Sequence, residues 1–317
     1  SFWVERIAHA AALRKRFLPP NTNAYRLVHA EGDRIPGFIA DVYGDVVVAQ
    51  VLTKGTELVL PHLLDGLRAI GFSQVYIKNK EAADRFEKID VANGWVGDAA
   101  ASTDLTIEEH GLQFRVDIEG GQKTGFFIDQ RENRRLLGAM CHDARVLNAF
   151  SYSGGFSVYA LEGGASAVTS VDVAAGAVEQ AAANVALNFP DLPSDRHEAI
   201  TADCFEYLRA DENRYDVVVL DPPSFARTPK AANRAARGYK DLNLNAIKHL
   251  EPGGLLFTFS CTGVIDRDLF RKIVFSAAAD AKRPVRILHQ LSQPLDHPVD
   301  IYHPEGEYLK GLVLEVG

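Results

Sequence analysis

Apolar and polar positions follow one rhythm up to Gly120 and another after it. Residues 1–18 mix Phe2, Ile7, Ala10, Ala11 and Leu13 with Glu5, Arg6, Arg14, Lys15 and Arg16, a helical spacing that Pro19-Pro20-Asn21 stops. From Tyr25 to Leu52 short β-rich runs are split by turn signals at Glu31-Gly32-Asp33 and Tyr43-Gly44-Asp45. Thr56–Ile70 carries Leu58, Val59, Leu63, Leu64 and Leu67 at helical spacing, Val75-Tyr76-Ile77 reads as a strand, and Leu112–Ile118 alternates as a strand does. The pattern divides this part into an N-terminal helix and linker, residues 1–20, and a small central α/β domain, residues 21–118.

After Gly120-Gly121 apolar runs and helical segments alternate. Strands are expected at Val146–Phe150, Ala167–Asp172, Ala199–Ala202, Tyr215–Leu220 and Gly254–Ser260. Helices are expected at Phe156–Glu162, Ala174–Leu187, Phe205–Leu208, Tyr239–His249 and Arg267–Ala281. Buried strands separated by helices imply a mostly parallel sheet covered on both faces, so residues 119–317 are expected to form a Rossmann-like α/β domain.

Composition narrows the class. The 317 residues suffice for two cores. No apolar run approaches the ~20 residues that cross a bilayer, and charges interrupt the N-terminus too often for a signal peptide. The chain opens in the middle of a helix without Met, which suggests a segment upstream. Cys141, Cys204 and Cys261 are odd in number, far apart and without a CxxC pair, which fits a reducing cytoplasm and neither disulfides nor zinc. The histidines form no HxxxH pair, and no catalytic metal is expected. A net charge of −8 argues against gripping nucleic acid with the whole surface, while leaving room for a local basic groove.

The candidate chemistry lies at strand ends. In a doubly wound sheet, ligands bind beyond the carboxyl ends of the strands. The first strand of the second region runs into Asn148-Ala149-Phe150-Ser151-Tyr152-Ser153-Gly154-Gly155, a loop small enough for a ligand to approach its backbone. The next strands end at Asp172, Asp203 and Asp221. Asp172 suits a ribose diol, and Asp203 could accept from an adenine amino group. The loop lacks the GxGxxG pattern of dinucleotide sites. Carboxylates repel a pyrophosphate and favour a cationic ligand, which points to S-adenosylmethionine, with its sulfonium and ammonium. The plainer alternative is a glycine turn with aspartates as helix caps.

Asp221-Pro222-Pro223-Ser224-Phe225 follows the fourth strand. Two prolines stiffen the exit and donate no N–H, leaving Asp221 to bond the edge of a planar base and Phe225 to stack on it. Arg227, Lys230, Arg234, Arg237 and Lys240 come next with no acid among them, a stretch that could meet RNA phosphates or be a solvated loop with a helix start. Taken alone, Cys261, just past Phe259-Ser260, reads as a small buried hydrophobe.

Several runs together carry a likeness: GQKTGFFIDQR from Gly121, NAFSYSGGFS, SVD ending at Asp172, DPPSF from Asp221, RGYKDLN from Arg237, FSCTG around Cys261 and HPEGEYLKG from His303. In that order they resemble the RlmI-type family of 23S ribosomal RNA cytosine-5 methyltransferases over nearly the whole chain. The resemblance implies a Rossmann-like methyltransferase domain, S-adenosylmethionine as cofactor and an rRNA substrate. It also implies an N-terminal RNA-binding PUA domain, which this sequence lacks. The implied cofactor residues are Lys123, Phe127, Asp129, Arg131, Asn148, Phe150 to Gly155, Asp172, Asp203 and Asp221. Without the resemblance, KTGFFIDQR reads as a loop entering a helix, with Phe126 and Phe127 in the core.

Position and resemblance together make Cys261 the candidate nucleophile, adding to carbon 6 of cytosine so that carbon 5 can attack a methyl group. Asp221 would hold the N3/N4 edge. Cys204 and Cys141 read as packing, and Ser224 stands where some RNA cytosine-5 enzymes carry a second cysteine. Other readings remain: methylation of a guanine ring nitrogen, which needs no thiol; a non-catalytic RNA-binding relative; and a small-molecule methyltransferase. A homodimer stays open.

Overall fold

In a computed structural model the described residues are 2–79, 87–97, 102–226 and 228–317. They pack as two units, residues 1–131 with 294–307, and residues 132–293 with 308–317. The first unit extends past residue 118 and takes in a distant segment, and its hydrogen bonds show why. Thr124 Oγ1 donates to Asp41 at 2.6 Å, the Phe126 N–H donates to the Tyr43 hydroxyl at 3.2 Å, and Arg131 grips Asp296 at 2.9 and 3.0 Å.

Helix α1 (Phe2–Lys15) and strands β1 (Ala24–His29), β2 (Phe38–Tyr43) and β3 (Val46–Val51) open this unit, followed by α2 (Lys54–Ala69), β4 (Gln74–Ile77) and β5 (Gly94–Trp95). The five strands form one sheet in chain order, and β6 (Asp104–Glu109) pairs with β7 (Leu112–Asp117) as a separate hairpin. Ile7 and Ala10 of α1 join Leu63 and Leu67 of α2 on the sheet, in a core with Leu27, Phe38 and Val47. Arg14, buried at the end of α1, is paired with Asp33 and donates to the carbonyl of Asp296 at 2.8 Å.

The second unit begins with α3 (Arg131–Gly138, whose first residue closes the first unit) and alternates strand and helix. The order is β8 (Arg145–Ala149), α4 (Gly155–Glu162), β9 (Ala167–Asp172), α5 (Ala175–Asn188), β10 (His197–Thr201) and α6 (Cys204–Ala210). Then come β11 (Tyr215–Leu220), α7 (Ala232–His249), β12 (Leu250–Ser260), α8 (Arg267–Ala281), β13 (Val285–Ser292) and β14 (Lys310–Val316). The sheet order is β10-β9-β8-β11-β12-β14-β13. The first five strands are mutually parallel, and β14 runs antiparallel between β12 and β13. The expected Rossmann-like α/β domain is present.

Two elements go beyond those expected. Helix α7 starts seven residues before the expected Tyr239 and runs through Gly238. A Cβ there would stand 3.3 Å from the Phe225 ring, so glycine serves close packing inside a helix. Strand β13 had no bounds set from the sequence; it is an edge strand with Arg286 to Gln290 exposed, so no buried face marks its limits.

Candidate active site at the carboxyl edge of the sheet

The register of the parallel strands puts the site residues in line. Thr201 of β10 pairs with Asp172 of β9, Ala149 of β8 with Val171 of β9, and Leu220 of β11 with both Ala149 and Thr258 of β12. One residue further on, Asp172, Phe150 and Asp221 therefore lie level on successive strands. Asp172 and Asp221 are two strand spacings apart, about 10 Å. Cys261 leaves β12, the next strand, two residues beyond that level.

The loop from Asn148 to Gly155 is held in an unusual shape. Phe150, Tyr152 and Gly154 have φ of 61°, 45° and 77°. The first two are non-glycine residues in the left-handed region, each costing roughly 1 kcal/mol or more, a strain that concentrates at ligand sites. Gly154 is required: a Cβ there would lie 2.8 Å from the Cβ of Ala181. Asp172 braces the loop, with Oδ2 accepting from the Tyr152 N–H at 2.9 Å and Oδ1 from the Ala174 N–H at 3.0 Å. A carboxylate has about four acceptor positions, so capacity for a ligand remains. Asp203 caps α6 through Oδ1, which accepts from the N–H groups of Phe205 and Glu206 at 2.8 and 3.0 Å.

Beneath the loop a buried polar chain crosses the sheet. Asn148 Nδ2 donates to Ser157 Oγ at 2.8 Å, Ser157 bonds Ser170 at 2.7 Å, and Ser170 bonds His197 Nε2 at 2.9 Å. Burial lowers the His197 pKa to about 4, so the ring is neutral at pH 7. At the loop end of this chain, buried Asn148 Oδ1 and Ser151 Oγ find no hydrogen-bond partner among the described residues. Buried acceptors left open are costly, and a ligand that carries an ammonium or hydroxyl satisfies them. The loop thus fits the S-adenosylmethionine expected from the sequence.

Cys204 is a structural partner of this loop. It is buried, its sulfur accepts from the Phe150 N–H at 3.2 Å, and burial pushes its thiol up to about 12. Cys141 is likewise buried and pushed up to about 12 by desolvation. Cys261 is half-buried, the only cysteine of the three within reach of solvent.

Around Asp221 the side chains sort by exposure. Pro222 is buried, Pro223 and Ser224 are exposed, and Asp221 and Phe225 are half-buried. The Phe225 ring already packs on Tyr239 at 4.6 Å and on Phe205 at 5.7 Å, so part of the face expected to stack on a base is covered by protein. Lys230, Arg234 and Arg237 are exposed, the last two on one face of α7 three residues apart. Lys240 is committed to Asp280 at 2.7 Å. Arg227 lies outside the described residues.

The KTGFFIDQR run belongs to the first unit up to Arg131. Phe126 is buried, as a core reading demands, while Phe127 is half-buried beneath the Lys123 ammonium, 4.3 Å from its ring centre. Lys123 also bridges to the buried Asp129 at 2.6 Å. Arg131 is 1% exposed, and its bidentate bond to Asp296 gives it a structural role.

Sequence reasoning missed four residues next to the site: Tyr239, Ser260, Thr262 and Lys310. All four lie in runs it had quoted, but nothing in one dimension showed that α7 and β14 both reach the Cys261 turn.

Comparison with known proteins agrees. A family model described as S-adenosylmethionine-dependent methyltransferase matches residues 78–306. The ribosomal RNA large subunit methyltransferase I of Alteromonas mediterranea is 42% identical over 99% of this chain and 80% of its own length. That of Tolumonas auensis is 43% identical over the same shares. A solved methyltransferase candidate, SMU.776, complexed with SAH, superposes with a TM-score of 0.86 at 27% identity, covering 99% of this chain and 81% of that one. The cofactor inferred from the strand-end carboxylates is the one this family uses. Kinship over nearly its whole length places the chain among the S-adenosylmethionine-dependent methyltransferases, in the family of ribosomal RNA large subunit methyltransferase I.

Proposed function

We propose that this chain methylates carbon 5 of a cytosine in large-subunit ribosomal RNA, with Cys261 as the nucleophile. The observation that carries the reading is the contrast among the cysteines. Cys141 and Cys204 are sealed with thiols pushed up to about 12, whereas Cys261 is half-buried beyond β12, one strand from Asp221. The relatives named for large-subunit rRNA support the substrate class.

When bound, S-adenosylmethionine supplies an electrophilic methyl group on a sulfonium. The Asn148–Gly155 loop and Asp172 would hold it through the acceptors described above. Cytosine carbon 5 is too weak a nucleophile to take that methyl unaided. The Cys261 thiolate forms a bond to carbon 6, which gives carbon 5 enamine character. Asp221 accepts from the N4 amino edge and fixes the ring. Carbon 5, so activated, would accept the methyl group that the sulfonium supplies. A base then removes the carbon-5 proton, the sulfur–carbon 6 bond breaks, and the thiolate is released. Lys230, Arg234 and Arg237 offer charge to the RNA phosphates.

The test is to incubate the protein with unmodified ribosomal RNA and methyl-labelled cofactor, then analyse nucleosides by mass spectrometry, with Cys261→Ala in parallel. Label in 5-methylcytidine, lost in the variant, is expected. Label only in guanosine, or full activity of Cys261→Ala, sinks the reading.

A further inference from the structure

The turn that carries Cys261 is held by side chains for which the reaction above has no use. Lys310 opens β14 and is buried, and its ammonium donates to the carbonyl oxygens of Thr262 at 2.9 Å and Ile265 at 2.6 Å. Thr262 is fully buried. Its hydroxyl lies 2.7 Å from the Tyr239 hydroxyl and 3.2 Å from that of Ser224, and its N–H donates to Ser260 Oγ at 3.3 Å. Tyr239 comes from α7, is fully buried, and has a phenol pushed up to about 12, chiefly by desolvation and in part by Cys261 and Asp221. A buried ammonium is costly unless it is well satisfied, so a lysine bonded to two carbonyls of one short turn is a strong constraint on that turn.

We propose that Lys310 and Tyr239 are positioning residues for methyl transfer: together they clamp the Cys261–Ile265 turn, and through Thr262 and Ser224 they fix it against the Asp221–Ser224 turn. The proposal rests on the nucleophilic role of Cys261. Its physical content is preorganisation. Sulfur and carboxylate must meet one pyrimidine from two different strand exits, and a displacement of an ångström costs about a hundredfold in rate. Thr262 is the joint, because its hydroxyl bonds side chains from both α7 and the Asp-Pro-Pro loop while its carbonyl is held from β14. Among the described residues, the ionisable groups beside this turn include Asp221 after β11, Tyr239 on α7 and Lys310 on β14. Asp266 and Arg267 at the start of α8 are engaged elsewhere, capping Leu269 and bonding the Leu291 carbonyl.

The experiment compares Tyr239→Phe, Lys310→Met and Lys310→Arg in the full chain. It measures kcat and KM for ribosomal RNA, cofactor dissociation by calorimetry, and hydrogen–deuterium exchange of residues 261–265. Tyr239→Phe removes one oxygen and keeps the ring, so it stays informative if Lys310→Met fails to fold. The expected result is a fall in kcat of about tenfold for Tyr239→Phe and about a hundredfold for Lys310→Met. Cofactor affinity and RNA KM should stay within about twofold, Lys310→Arg should recover part of the rate, and faster exchange should be confined to 261–265. Folded variants with wild-type kcat, or with unchanged exchange at 261–265, overturn the clamp; so does faster exchange across the whole sheet, which marks a general structural role. The exchange measurement needs no substrate. It judges the clamp even if the wild type methylates another base or Cys261→Ala stays active, outcomes that overturn the nucleophile instead.

Discussion

Replacing Asp296 with alanine tests how the segment 294–307 is bound into the first unit. Its carboxylate accepts from Arg131 at 2.9 and 3.0 Å and from the Arg26 backbone N–H at 3.0 Å, with neither member of the Arg131 pair more than 1% exposed. Burial alone would raise the Asp296 pKa, but His297 and Arg131 outweigh it and hold the group well below the usual carboxylate range. A depressed carboxylate stabilises the fold above its unfolded pKa, near 3.8, and loses that contribution as pH falls below it, so the pair is fully formed at pH 7. Asp296→Ala takes the bidentate carboxylate away from a buried guanidinium, which costs about 3–5 kcal/mol. Replacing both members, as Arg131→Met with Asp296→Leu, removes the buried charge and should restore much of the loss. The two tryptophans, Trp3 and Trp95, both lie in the first unit, so tryptophan fluorescence during urea unfolding reports this unit alone. A loss below about 1 kcal/mol for Asp296→Ala, or a double variant no better than the single, would refute the reasoning.

Gly154→Ala places a methyl 2.8 Å from the Ala181 Cβ at a φ of +77°, and should cost about 1–3 kcal/mol, read as a lower melting temperature and weaker cofactor binding by calorimetry. Arg234→Ala with Arg237→Ala should weaken RNA binding and reduce the slope of log affinity against log salt by about 2, while cofactor affinity is unchanged; an unaltered slope removes these residues from the RNA face. His197 is held at about 4 by burial and His29 at about 2, chiefly by burial, against an ordinary 6.5. The unfolded chain therefore takes up protons that the native chain refuses, and stability should decline as pH falls from about 6.5 towards 4, with His197→Gln flattening part of the slope.

The alternation of buried strands and helices after Gly121 was legible because parallel strands covered on both faces must be apolar throughout, and periodicity is a local property. Strand ends were legible for the same reason, and with them Asp172, Asp221 and Cys261 at the carboxyl edge. Local pattern failed where a residue answers to a distant neighbour. Gly238 gives no sign in the sequence that the Phe225 ring packs against it, and Arg131 carries no mark of a partner 165 positions away. The sequence by itself determined the order of elements, the chemistry of the strand-end residues and the resemblance that names the cofactor. Only the tertiary structure decided which cysteine stays accessible, which arginines are spent on buried ion pairs, and that Lys310 and Tyr239 converge on the turn beside Cys261. Burial and hydrogen bonding between elements far apart in the chain are consequences of packing in three dimensions, and no spacing along the chain encodes them.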